Sequence, residues 1–210
     1  MRKFALILCA VLVVTGTVEG QRRRPAPKKP VPPALKVEQA KVQCRESLGT
    51  GIKTTASYCF VLAGLEPADG VLITIPPHRG EATLVFNLHN RHTYSEEDVK
   101  RGRAFSRYSA VIGALTMTGE LLGRGAVQTE FRTVNDLFER IGGGAGPGGV
   151  KAVAPLGNEM IYITIPEKVT QVSLLGELLE AITHAGRETA TPGRPVAIVS
   201  NVRVEYRPVK

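Results

Sequence analysis

Asn201-Val-Arg-Val-Glu-Tyr-Arg-Pro208, NVRVEYRP in one-letter code, is the stretch that decides the fold. In an extended chain successive side chains point to opposite faces. Val202, Val204 and Tyr206 therefore share one face, and Arg203, Glu205 and Arg207 share the other. Pro208 stops the run, because proline cannot continue a hydrogen-bonded ladder. A strand with one apolar and one charged face needs a core on one side only.

The same signature recurs along the chain. GVLITIPP (70–77) sets Val71, Ile73 and Ile75 against Leu72 and Thr74, and ends at Pro76 and Pro77. ATLVFNLH (82–89) sets Leu84, Phe86 and Leu88 against Val85, Asn87 and His89. EMIYITIPE (159–167) sets Ile161, Ile163 and Ile165 against Tyr162 and Thr164, and ends at Pro166. All are of strand length and rich in β-branched residues. SYCFVLAG (57–64) and RPVAIVS (194–200) are two further apolar strand candidates. Arg107–Phe131 reads as a long hairpin with Gly119 to Gly125 at its turn.

Helical signals are fewer. Ser95-Glu-Glu-Asp98 is a capping-box spelling that starts a short helix ending by Gly102. Thr133-Val-Asn-Asp136 is a second, predicting a helix with Leu137, Phe138 and Ile141 on one face and Gly142 as its stop. Ser173–Gly186 fits both periods. Its leucines suit a helix face, while the segment GELL occurs here and again at Gly119–Leu122, inside the hairpin, which favours strand. The expected fold is mainly β: a two-sheet antiparallel β-sandwich with one or two short helices, an α+β domain being the alternative.

Ahead of this body, residues 1–20 read as an export signal. Arg2 and Lys3 precede the apolar run Phe4–Val14, and Val18 and Gly20 stand before a cleavage point at Gln21. The alternative is a membrane anchor over residues 4–18. Residues 21–36 form a basic spacer with five prolines and no acid, a composition that favours extended, solvated chain. Its Arg22, Arg23, Arg24, Lys28 and Lys29 could contact a polyanion.

The charge is unevenly distributed. The chain holds 27 basic and 19 acidic residues. Residues 1–36 account for eight basic and one acidic, leaving 19 against 18 from Val37 onward. Residues 37–210 therefore read as one near-neutral domain with no electrostatic footprint for specific nucleic-acid binding.

Cys44 and Cys59 remain once the signal is gone, and an even pair in an exported chain reads as a disulfide. His89 and His92, with Glu96 close behind, are the candidate metal ligands, two imidazoles and a carboxylate. Positions three apart face opposite ways in a strand, so the rings converge only if the strand ends between them. Glu177 and Glu180 are spaced as a solvated edge on a helix, and point apart on a strand. Tyr58, Tyr94 and Tyr108 suit core or interface packing better than sugar stacking, and the chain has no tryptophan.

Gly144, Gly146 and Gly149 spell GxGxxG, but a phosphate-binding turn must follow a strand and open a helix. Here a helix-like segment precedes and a strand-like one follows, so Gly142–Gly149 reads as a connector from helix to strand, and no cofactor is expected. The functional expectation is an exported, non-enzymatic module contacting a protein or an envelope component. A secreted hydrolase or metal-dependent enzyme at His89, His92 and Glu96 is the alternative.

Overall fold

The computed structural model describes residues 33–64, 66–145, 150–155 and 159–209. The export signal, the Gln21 cleavage point and the polyanion residues Arg22, Arg23, Arg24, Lys28 and Lys29 lie outside the described residues. Four strands come first: β1 (Lys36–Gln39), β2 (Lys41–Gln43), β3 (Ser47–Gly51) and β4 (Ser57–Leu62). Then follow β5 (Val71–Thr74), β6 (Ala82–His89) and β7 (Thr93–Ser95), and a short helix α1 (Glu96–Lys100). The chain continues through β8 (Ser106–Thr116), β9 (Leu121–Phe131), β10 (Leu137–Ala145), β11 (Val150–Pro155) and β12 (Glu159–Ile165). It ends with β13 (Gln171–Thr183), β14 (Gly186–Thr189) and β15 (Pro195–Tyr206).

The strands form two antiparallel sheets, as the alternating runs predict. The larger is ordered β12-β6-β15-β4-β3-β10-β11-β7, with β1 beside the end of β15. The smaller is ordered β2-β5-β13-β8-β9, with β14 on β13. Leu84, Phe86 and Leu88 of β6 and Val199, Val202 and Val204 of β15 pack against Val71, Ile73, Val172, Leu174, Ala110 and Ile112 of the other sheet. Each of these side chains is at most 6% exposed. Removing such area from water is worth about 25 cal/mol per Å², so this layer dominates the stability.

NVRVEYRP and RPVAIVS are one strand, β15, with an irregularity between Ser200 and Arg203 where Asn201 takes φ 52°. On one side β15 pairs first with β4 and then with β1. At Ala40 the chain leaves β15, its N–H bonding Val202 O at 3.0 Å, and continues as β2 in the opposite sheet. The Cys44–Cys59 disulfide follows immediately (Cα–Cα 5.4 Å). It ties the end of β2 in the smaller sheet to β4 in the larger.

Removing this bridge with Cys44→Ala and Cys59→Ala should cost about 3 kcal/mol, the closure entropy of a loop this short. The unfolding midpoint should drop by roughly 6–12 °C for a domain of this size. A calorimetric scan with no drop would mean that the bridge constrains nothing in the unfolded chain.

Several expectations need correction. The capping box at Thr133 makes only a single 3₁₀ turn, Val134–Asp136. Asp136 accepts from the Thr133 and Arg132 N–H groups at 2.8 and 2.9 Å. Leu137 onward is strand, not helix, because β10 is claimed by pairing with β3 and β11. The run that begins at Gly142 therefore follows a strand and not a helix. Its first four residues, Gly142–Ala145, are the end of β10, which pairs antiparallel with β11 in one sheet, and residues 146–149 are outside the described residues. The β8–β9 turn is tighter than predicted, with Gly119 at φ +84° and Leu121 already in strand. Gly123 and Gly125 serve another purpose. A Cβ there would meet Ile163 Cδ1 at 2.9 Å and Ile161 Cγ1 at 3.0 Å, so they let β12 close over β9 across the sandwich.

Other readings stand. Ser95 caps α1 through its side chain, which accepts from Asp98 N. Ser173–Thr183 is strand, within β13. Among the described residues no helix is long and apolar enough to cross a membrane, and residues 4–18, the anchor alternative, lie outside them.

Candidate functional site

The larger sheet has a second, smaller core on its outer face. Tyr58 and Phe60 of β4 and Ile198 of β15 point outward there and meet Leu48, Phe138 and Ile141. This two-sided burial is why SYCFVLAG and RPVAIVS read as continuous apolar runs. His89 lies in this outer core, 1% exposed. Its Nε2 shares a hydrogen bond with Ser200 Oγ at 2.8 Å. Its ring sits 5.5 Å from Tyr58 and 6.1 Å from Phe138. Burial holds its pKa down at about 4, with the Glu139 charge pulling the other way.

β6 does end at His89, as convergence with His92 requires, yet the two rings take different partners. His92 Nδ1 bonds Ser106 Oγ of β8 at 3.0 Å, and its ring packs 4.2 Å from Phe131. Burial brings its pKa to about 4 as well. Glu96 sits exposed in the first turn of α1, where an acid favours the helix N-terminus. Among the described residues no group of three or more His, Cys, Asp or Glu side chains could hold a metal ion. Glu177 and Glu180 engage different neighbours, Arg124 at 2.6 Å and Arg187 at 3.8 Å. Tyr58 and Tyr108 are core residues.

Glu139 is the buried charge that sequence reasoning missed. It is 4% exposed. Its Oε1 accepts from the Lys53 and Thr54 N–H groups, both at 2.5 Å. Its Oε2 accepts from Thr54 Oγ1 and Tyr58 OH, both at 2.6 Å. Burial pushes its pKa up, but these hydrogen bonds outweigh that and hold it below the usual carboxylate value. Burial, with the bond to Glu139, pushes the Tyr58 phenol up to about 12. The carboxylate thus clamps the β3–β4 turn against β10.

That turn forms one wall of a cleft of about 600 Å³, which opens where β1 leaves β15 for the other sheet. Gln39, Ser47, Thr54, Thr55, Ser57 and Asn201 supply its polar groups, and the disulfide and Val199 lie along it. Among the described residues no ionisable side chain lines it. Thr55 (φ 58°) and Asn201 (φ 52°) are the non-glycine residues at positive φ among the described residues, and both line this cleft. Asparagine tolerates that conformation, whereas for β-branched threonine it is a true outlier. The Asn between the apolar run PVAIV and the alternation VRVEY was a legible signal; Thr55 was not.

No family model matches the chain, and no curated protein matches it. Among solved structures, the chain is similar to one described as the crystal structure of the T13 IBDV viral particle. Identity is 11% and the TM-score 0.26, with 81% of this chain and 32% of that one covered. The chain thus spans about a third of that chain's length, and so distant a likeness supports no argument about fold or activity.

Proposed function

We propose that this is an exported binding or structural module, contacting a protein or a cell-envelope component through the cleft beside the disulfide. One observation carries the reading: the two non-glycine residues at positive φ among the described residues, Thr55 and Asn201, both line one ligand-sized opening, and at Thr55 that conformation is strained. A residue held at positive φ costs about 1–3 kcal/mol and persists where the surroundings enforce it, commonly at binding sites. A cleft of several hundred Å³ is of the size that binds ligands. Hydroxyls and amides without an acid, a base or a free thiol suit recognition better than reaction. The disulfide fits an oxidising compartment, which supports export.

Thr55→Gly and Asn201→Gly keep the positive φ and delete the side chain, so they test the cleft without disturbing the turn. For Thr55→Gly, stability should rise by about 1 kcal/mol as strain is relieved, and saturable binding of the full chain to envelope material from the producing cell should weaken. Undiminished binding by the double variant would count against the cleft. Turnover in a broad hydrolase screen, lost on one point substitution, would overturn the non-enzymatic reading.

A further inference from the structure

Of the strands that end the two sheets, β9 is the longest, with 11 residues against seven for β12 and three each for β2 and β7. On one side it pairs with β8, without a register shift from Gly123 to Phe131. On the other side no described strand follows. β12 closes over Gly123 and Gly125 from the facing sheet, but its own ladder is with β6. Alternate N–H and C=O groups of β9 therefore point away from β8 with no described strand to take them. Long edges are commonly blunted by proline, lysine or a bulge. Residues 123–131 contain none of these.

The outward face of β9 carries Arg124, Ala126, Gln128 and Glu130, all exposed. Arg124 and Glu130 lie three positions either side of Val127 and have opposite charge. A second β9, antiparallel and related by a twofold axis at Val127, would set Arg124 of each copy opposite Glu130 of the other, and Ala126 opposite Gln128. Opposite charges facing each other across a ladder are favourable, and like charges are not. Neighbouring registers lose the match. With the axis at Ala126, Arg124 meets Gln128; with the axis at Gln128, it meets Arg132, a like charge. Within its own chain Arg124 pairs with Glu177 at 2.6 Å and Glu130 with Arg107 at 3.0 Å. Joining two copies would extend these pairs into one row of alternating sign: Glu177 and Arg124 of one copy, then Glu130 and Arg107 of the other.

We propose that the free edge of β9 is an interface between two copies of this chain, paired antiparallel about Val127 so that the two smaller sheets become one. Association through β9 is independent of binding at the disulfide cleft. Sedimentation velocity of the full chain, from micromolar to millimolar concentration, should show a monomer–dimer equilibrium. Arg124→Glu sets acid against acid and Glu130→Arg sets base against base, so each should weaken the dimer about tenfold or more. Mixed together, the two variants should dimerise with each other about as tightly as the parent does with itself, because each position then meets its opposite charge. Both positions are exposed on the strand's outer face, so the variants should keep the fold, which circular dichroism checks. The double variant Arg124→Glu with Glu130→Arg should also recover the dimer, and it replaces the mixture should a single variant fold poorly. The proposal is overturned if the parent stays monomeric, if both single variants dimerise as the parent does, or if neither the mixture nor the double variant is tighter than the single variants alone.

Discussion

Acidification from pH 7 to pH 4 should cost this domain about 6 kcal/mol through His89 and His92 together. Each ring has a folded pKa of about 4 against an ordinary 6.5, because burial disfavours the charged form. Well above pH 6.5 both rings are neutral whether the chain is folded or not, and they contribute no pH dependence. Between 6.5 and 4 the unfolded chain takes up protons that the folded chain refuses, so stability falls as pH falls. At pH 4 that amounts to about 3 kcal/mol per ring, with a slope near 2.7 kcal/mol per pH unit in mid-window. Total stabilities of small domains are about 5–15 kcal/mol, so acid unfolding well above pH 4 is a realistic outcome. Urea titrations across the window would measure it. His89→Asn combined with His92→Asn should start less stable, having lost the Ser200 and Ser106 partners, yet lack most of the slope. An unchanged slope in the double variant would show that other groups carry the acid response.

The two histidines also show where sequence reading stopped. Period-two alternation located β5, β6, β12 and the second half of β15 and named their inward residues, because a sheet with one wet face writes its burial into every second position. It could not tell that β6 is buried on both faces. Val85 and His89 read as an outward set, but they are 0% and 1% exposed. At the His89 end the side chains that close over it are Tyr58 of β4 and Phe138 of β10, 31 and 49 residues away along the chain. The same long-range pairing overrode the local helix signal after Thr133, where Leu137, Phe138 and Ile141 have helical spacing but serve a strand.

The candidate site was less legible than the fold. Cys44 and Cys59 could be paired from the sequence because compartment and parity leave little choice. His89 and His92 drew attention as neighbours in sequence, whereas their actual partners, Ser200 and Ser106, are 111 and 14 residues away. Glu139 was read as part of a helix, and its four donors lie 81 to 86 residues earlier. Hydrogen-bond networks of this kind have no period and no spacing, and appear only when the sheets are assembled.

Glu139→Gln should destabilise the domain by about 4 kcal/mol, a large effect for removing one formal charge. The carboxylate offers only acceptors, and four donors converge on it, from Lys53, Thr54 and Tyr58. A glutamine amide replaces one accepting oxygen with a donating NH₂, so two of the four donors would face another donor. Hydrogen bonds to a charged acceptor are worth about 1.5–3 kcal/mol each, and buried donors left unmet add their desolvation cost. Gly51→Ala approaches the clamp from the other side. Its Cβ would sit 2.3 to 2.5 Å from the carboxylate atoms, which are too firmly held to give way cheaply. The pH signature separates this group from the histidines. Its folded pKa lies below the unfolded value near 4.5, so its contribution is present above that value and disappears as pH falls through the lower folded one. Loss of the charge should therefore flatten stability below pH 4.5, leave the His92 part of the histidine window intact, and extend the His89 part to lower pH, because the charge that favours the protonated ring is gone. Tyr58→Phe supplies the control. It removes one donor in the parent, but should add little on top of Glu139→Gln, because its charged acceptor is already gone. Equal effects of Tyr58→Phe in both backgrounds would show that the hydroxyl does not act through Glu139. The functional consequence follows from the same geometry. With the clamp weakened, Thr55 is held at positive φ only by the turn's own bonds, Gly51 N–H to Ala56 O and Thr55 N–H to Gly51 O among them, so Glu139→Gln should weaken envelope binding although Glu139 does not line the cleft.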